Sequence, residues 1–249
     1  MAERHLKAEG VHRVFLDEDF RSVVALDGFD LEVEGGQIVA LVGPSGCGKS
    51  TFLRLVAGLD RPQGGHVCYN GAEITDTDPD RGFVFQDANL FPWLTVEGNI
   101  GIGLRIAGKS ADHAARVQQM VDLMGLSGFE KSYPHQISGG MASRTSLART
   151  FILSPGVILL DEPLSALDAF TRATIQDQIL DMWKINKPII LLVTHDIEEA
   201  VYLSDRVVVM SPRPGRVIGE LAISMPHPRD RTSEEFVSCR RQIMEMLEF

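Results

Sequence analysis

The sequence predicts an α/β protein built on a mostly parallel sheet, and three observations carry that prediction. Short apolar runs at 37–42, 157–160 and 189–193 have the length and composition of strands buried on both faces. Stretches of helical periodicity separate them, the alternation that gives a parallel sheet covered on both sides. A glycine-rich loop stands between the first run and an apolar helical stripe, so strand, loop and helix follow in order.

Taken along the chain, residues 32–34 with Gly35-Gly36 read as the end of an edge strand and a turn, and 37–42 as a buried strand. From 51 to 59, Phe52, Leu55, Val56 and Leu59 share one helical face, with Gly58 weakening its far end. Val117, Met120, Val121 and Met124 repeat at i, i+3, i+4 and i+7, predicting a helix for which Ser110 is a candidate cap. Between the last two apolar runs, Ile175, Ile179, Met182 and Trp183 form a stripe whose simplest reading is core packing.

Bulk properties narrow the class. With 249 residues, 44% hydrophobic and 23% charged, the chain can bury a sizeable core and lacks the bias of disordered proteins. The formal charge of -10 disfavours a chain that grips nucleic-acid phosphates. Cys47, Cys68 and Cys239 fit neither a disulfide framework nor a zinc site, which predicts a reducing compartment. No apolar run is long enough to span a bilayer, and residues 1–9 mix acids and bases without the apolar stretch of a secretion signal. The expectation is a cytoplasmic chain that reaches any membrane through a partner.

The segment Gly43-Pro44-Ser45-Gly46-Cys47-Gly48-Lys49-Ser50, with Thr51 after it, fits the G-x-x-x-x-G-K-[ST] pattern of a phosphate-binding P-loop. Glycines allow the backbone to wrap, so that successive N–H groups and the following helix N-terminus face phosphate oxygens. Lys49 adds a mobile positive charge, and Ser50 offers a hydroxyl to Mg²⁺. Cys47 reads as a small loop residue, since no base lies near it in sequence. The run at 157–160 ends in Asp161 and Glu162, and ligands gather at the carboxyl ends of parallel strands. Asp161 is then expected to hold Mg²⁺ through water, and Glu162 to act as general base on the attacking water. These features fix ATP or GTP chemistry and little more.

The next motif is more specific. Ile137-Ser138-Gly139-Gly140-Met141, set before a helix carrying Leu147, Ala148, Phe151 and Ile152, resembles the signature loop of the ATP-binding cassette (ABC) family. Serine and two glycines at a helix N-terminus offer free N–H groups, a positive dipole end and a hydroxyl. The resemblance covers nearly the whole chain. It implies a fold with a P-loop NTPase (RecA-like) core, an N-terminal antiparallel β subdomain and an inserted α-helical signature subdomain. It also implies two copies packed head to tail, each using Ser138, Gly139, Gly140 and Met141 to close on the ATP held by the other.

Four further matches extend the resemblance. It gives Phe15 as the aromatic that stacks on adenine, although taken singly Phe15 reads as core. It gives Gln86 as the glutamine reaching Mg²⁺ and water, Asp168 in Ser165-Ala166-Leu167-Asp168 as part of the loop passing between the two copies, and His195 as the switch histidine at the γ-phosphate. Implied catalytic residues are Glu162, His195, Gln86 and Lys49; implied metal contacts are Ser50, Gln86 and Asp161. Two departures stand out: Met141 replaces the usual glutamine, and Ala142-Ser143 replace a basic and an amide residue.

The stretch 89–96, apolar and stiffened by Pro92, reads either as lobe packing or as a seat for a helix of a membrane partner, and the resemblance favours the seat. Arg213-Pro214-Gly215-Arg216-Val217 and Pro226-His227-Pro228-Arg229-Asp230-Arg231 resemble importers of nitrate, sulfonates, taurine and bicarbonate. The expected division is a core at 1–87 and 155–225, a helical subdomain at 88–154 and a helical tail at 226–249. Expected partners are a second copy, transmembrane permease subunits and, indirectly, a solute-binding protein, with no nucleic acid; the expected place is the inner face of the cell membrane. Export, or action on a nucleic-acid or ribosomal partner, is the alternative.

Overall fold

The computed structural model describes residues 4–108, 112–165 and 167–248. Two sheets organise it. In the first, β1 (His5–Leu16), β2 (Ser22–Glu34), β4 (Gly64–Tyr69) and β5 (Ala72–Glu73) pair antiparallel in the order β2-β1-β4-β5, so the strand ending at Glu34 is an edge strand as its sequence predicts. The second contains β3 (Ile38–Val42), β6 (Arg81–Val84), β7 (Val157–Asp161), β8 (Ile189–Val193), β9 (Arg206–Met210) and β10 (Val217–Ala222). Its order is β10-β9-β3-β8-β7-β6, parallel except for β10 at one edge.

The unbroken apolar runs have a geometric cause. Side chains of a strand alternate between faces, and here both faces are dry. Val39 and Leu41 of β3, Val157 and Leu159 of β7, and Ile189 and Leu191 of β8 face α1 (Lys49–Ala57) and the antiparallel sheet. Ala40, Ile158, Leu160, Ile190 and Leu192 face the opposite core, shared with α5 (Ala169–Asn186), α6 (Ile197–Leu203) and α7 (Glu234–Leu247). Two separate cores therefore clamp one sheet whose β3 and β7 C-terminal ends meet at the glycine-rich loop.

The described residues between 96 and 151 include α2 (Val96–Ile106), α3 (His113–Leu123) and α4 (Gly139–Phe151), and Ile100, Leu104, Val117, Val121, Met124 and Leu147 from this stretch join one cluster. Buried Asn99 fastens the preceding loop: its amide nitrogen donates to the carbonyls of Leu94 and Thr95 at 3.0 Å each, and its Oδ1 accepts from Phe91 N at 2.8 Å. That bracing leaves Trp93 70% exposed. Among the described residues no helix is long and apolar enough to cross a membrane.

One expectation needs correction. Leu59 does not extend the α1 stripe: the helix stops at Ala57, and Leu59 is half exposed. Gly58 ends the helix in the left-handed conformation, φ 74°, which glycine adopts without a Cβ penalty, and a Cβ there would lie 2.1 Å from the Asp76 carbonyl oxygen. Ser110, the expected cap of α3, lies outside the described residues; Asp112 occupies the N-cap position and makes no side-chain cap bond.

Candidate functional site

A cleft of about 520 Å³ opens at the carboxyl ends of β3 and β7. Its floor is the glycine-rich loop. Gly48 sits at φ 108°, and a Cβ on it would come within 2.7 Å of the Ala25 carbonyl oxygen, so the loop reaches this close approach only with glycine. Gly48 is also the N-cap of α1 and supplies no side-chain cap, which leaves first-turn N–H groups free for an anion. Lys49 is 7% exposed, and its Nζ donates to the carbonyls of Gly43 at 2.8 Å and Pro44 at 2.9 Å.

Ser50 lines the cleft and donates its hydroxyl to Oδ1 of Asp161, buried behind it, at 2.8 Å. Desolvation raises the Asp161 pKa above the ordinary value, and the Ser50 hydrogen bond opposes the shift. A buried carboxylate with a hydroxyl beside it is a donor pair suited to Mg²⁺, which takes few protein oxygens and completes its shell with phosphate and water. The phosphate-sized cradle, the free N–H groups, Lys49 and this pair all fit a nucleoside triphosphate with its metal. The volume also lies within the range of roughly 300–1,000 Å³ usual for such ligands.

Glu162 follows β7 in a left-handed conformation, φ 46°, with its N–H bonded to the Val193 carbonyl at 2.9 Å. Such backbone is costly for a residue with a Cβ and concentrates at working sites. It lets Asp161 stay in strand register opposite Val193 while the next carboxylate enters the cleft. There Glu162 Oε2 lies 3.2 Å from His195 Nδ1 and accepts from Gln86 Nε2 at 3.4 Å. Phe15 forms the opposite wall; it is 37% exposed rather than core, with the Arg13 guanidinium 4.5 Å from its ring centre.

One cleft thus joins Phe15, Gly43, Ser45, Gly46, Gly48, Lys49, Ser50, Thr51, Gln86, Glu162 and His195. Pro44 and buried Cys47 belong to the same loop. Ser138, Gly139, Gly140 and Met141 are not in it. They form the N-terminus of α4, with Ser138 and Gly139 exposed, Gly140 half-buried and Met141 half-buried against the core; Ser138 Oγ accepts from Met141 N at 3.3 Å. Asp168 caps α5, accepting from Phe170 N at 3.1 Å and Thr171 N at 3.0 Å; Ala166 lies outside the described residues.

Sequence reasoning missed Val23, Ala25 and Arg213 as cleft residues. Arg213 Nε donates to the Gly46 carbonyl at 3.1 Å from the turn between β9 and β10. Nothing in the local pattern around 213 signals this, because sheet pairing brings the turn there.

The geometry defines a P-loop nucleoside triphosphatase. Comparison with known proteins narrows it. The family model for the ABC transporter matches residues 26–165. Over 240 residues, 96% of this chain and 94% of the other, the sequence is 43% identical to the aliphatic sulfonates import ATP-binding protein SsuB of Bacillus cereus. It is 41% identical over 236 residues to the SsuB of Bacillus subtilis, covering 95% and 91% of the two chains. A dimeric ATP-binding cassette in a post-hydrolysis state, bound to ADP and Pi, superposes with a TM-score of 0.79 at 28% identity, covering 89% of this chain and all of that one. The chain belongs to the ABC transporter family and is an ATP-binding, ATP-hydrolysing member of it.

Proposed function

We propose that the chain is the ATPase subunit of an importer for aliphatic sulfonates or chemically similar small organic anions, working as a pair of copies beneath membrane permease subunits. The observation that carries the reading is that Lys49, Ser50, Gln86, Glu162 and His195 line one cleft, whereas Ser138, Gly139, Gly140 and Met141 lie outside it at the N-terminus of α4. A second copy turned head to tail supplies the missing half. The names of the relatives favour import over export.

In this reading Lys49, the loop N–H groups and the α1 N-terminus bind the β- and γ-phosphates, and Phe15 stacks on the base. Ser50, Asp161 and Gln86 would hold Mg²⁺, which supplies neutralisation of phosphate charge when bound. Glu162 accepts the proton of the attacking water, and His195 and Gln86 fix that carboxylate and the water in line. Ser138, Gly139, Gly140 and Met141 of the second copy cap the γ-phosphate, with Asp168 at the contact between copies. Most of the rate then comes from positioning and electrostatics.

The exposed, Asn99-braced stretch with Phe91 and Trp93 is the seat for a permease helix, which places the chain on the inner face of the membrane without spanning it. The same reading divides the chain into a nucleotide-binding part at 1–87 and 155–225, a helical part at 88–154 and a tail at 226–249.

Cells lacking this chain are expected to lose uptake of a labelled alkanesulfonate, to regain it with the unaltered chain and not to regain it with Lys49→Ala. Undiminished sulfonate uptake in the deletion would refute the substrate class. Restoration by Lys49→Ala would refute the phosphate site.

A further inference from the structure

His195 is held from both sides by side chains outside the nucleotide cleft. On its N-terminal side, Thr194 Oγ1 donates to Glu199 Oε2 at 2.5 Å and accepts from Asp196 N at 3.0 Å. On its C-terminal side, Asp196 caps α6, its Oδ1 accepting from Glu198 N at 2.9 Å and Glu199 N at 3.2 Å. The second oxygen of Asp196 is taken by Arg172, whose Nη1 lies 2.9 Å away. The other arm of that guanidinium, Nη2, donates to the Leu167 carbonyl at 3.1 Å.

Arg172 therefore spans two segments that the chain separates by more than twenty residues. Leu167 and Asp168 precede α5, and Asp168 fastens the start of that helix. Asp196 is covalently next to His195. A cavity of about 20 Å³ lies between these segments, lined by Glu162, Ser165, Arg172, His195 and Glu199. Nothing but the guanidinium fork crosses from the Leu167 backbone to Asp196 among the hydrogen bonds of the described residues. A planar fork with two fixed donors transmits a displacement in a way that a flexible ammonium does not.

We infer that Arg172 is a positioning residue that couples the segment facing the second copy to the switch histidine. Seating of the second copy against Leu167 and Asp168 moves or locks the Leu167 backbone, and the Arg172–Asp196 link sets where His195 stands relative to Glu162. The inference rests on the two-copy reading above. Arg172 does not line the nucleotide cleft; it acts through Asp196.

The test uses Arg172→Ala, Arg172→Lys and Asp196→Asn, the last keeping the α6 cap oxygen while removing the charge. In all three, KM for ATP and the affinity of the separated chain for a fluorescent ATP analogue are expected to stay within twofold, while kcat falls about tenfold or more, as small misplacements of catalytic groups do. The double variant Arg172→Ala with Asp196→Asn is expected to be no slower than either single change, because both break one link. A kcat within twofold of the unaltered chain, effects that multiply in the double variant, or a loss of ATP affinity parallel to the loss of rate would each overturn the inference. Glu162→Gln on a sizing column with ATP separates the two levels: a chain that stays monomeric removes the two-copy reading and this inference with it, whereas a dimer alongside normal rates in the Arg172 variants removes this inference alone.

Discussion

The N-termini of α1 and α4 are the same device in two settings. Both begin beside glycine, and both present a positive dipole end. Around α1 the sheet, β2 and β7 close in, Lys49 and Asp161 are buried, and no side chain caps the first turn. Around α4 the serine caps its own helix, a Cβ added to Gly139 would meet nothing within 4 Å, and the surface is open. A helix terminus becomes a binding site only when other elements converge on it. The first lines a cleft built by this chain, and the second stands outside that cleft.

The largest way to sharpen this contrast lies in the closed cleft. Glu162→Gln is expected to keep ATP affinity and to slow turnover by about 10²–10⁴-fold, the range for a general base, measured by phosphate release. Turnover near the unaltered rate would remove Glu162 as the base. On the open side, Gly139→Asp places an acid where the fold has room and the helix dipole welcomes it. Thermal stability and single-chain ATP binding are expected to hold while turnover drops about a hundredfold, as when a phosphate-facing donor site is spoiled. If the rate survived, the α4 terminus would have no part in hydrolysis.

Smaller effects probe the walls. Burial raises the Glu199 pKa to about 7, from 4.5. Between those values the folded chain retains a proton that the unfolded chain has lost, so stability falls as pH rises. The expected slope is about 1.4 kcal/mol per pH unit, about 3 kcal/mol across the window. Glu199→Gln is expected to flatten it in urea titrations from pH 5 to 8, and a persisting slope would locate the proton on another group. Last, Phe15→Ala is expected to weaken nucleotide binding about tenfold and Phe15→Tyr to spare it, in line with aromatic stacking on a base of about 1–3 kcal/mol. Equal affinity in all three chains would take Phe15 out of base recognition.

Much of this site was legible before folding was considered, and the legible part has a common character. The loop from Gly43 to Ser50, the acids ending β7 and the serine before Gly139 each lie within a few residues of the element that shapes them. Leu59 failed for the complementary reason: periodicity marked it apolar, but the left-handed Gly58 had already turned the chain away from the core. Phe15 read as core by itself and proved to be a cleft wall, since its exposure depends on the register of β1 with β2 rather than on its neighbours in sequence.

The sequence by itself determined the local conformations: where backbone must pass through glycine, where a strand ends in carboxylates, and where a helix starts. Covalent neighbours and hydrogen bonds a few residues long decide those, so a pattern suffices. Tertiary structure alone decided convergence: that Arg213 reaches Gly46, that Glu162 takes a left-handed turn against Val193, and that Arg172 joins Leu167 to Asp196. Such contacts depend on how a parallel sheet orders strands far apart in the chain, and no spacing within any one segment encodes that order.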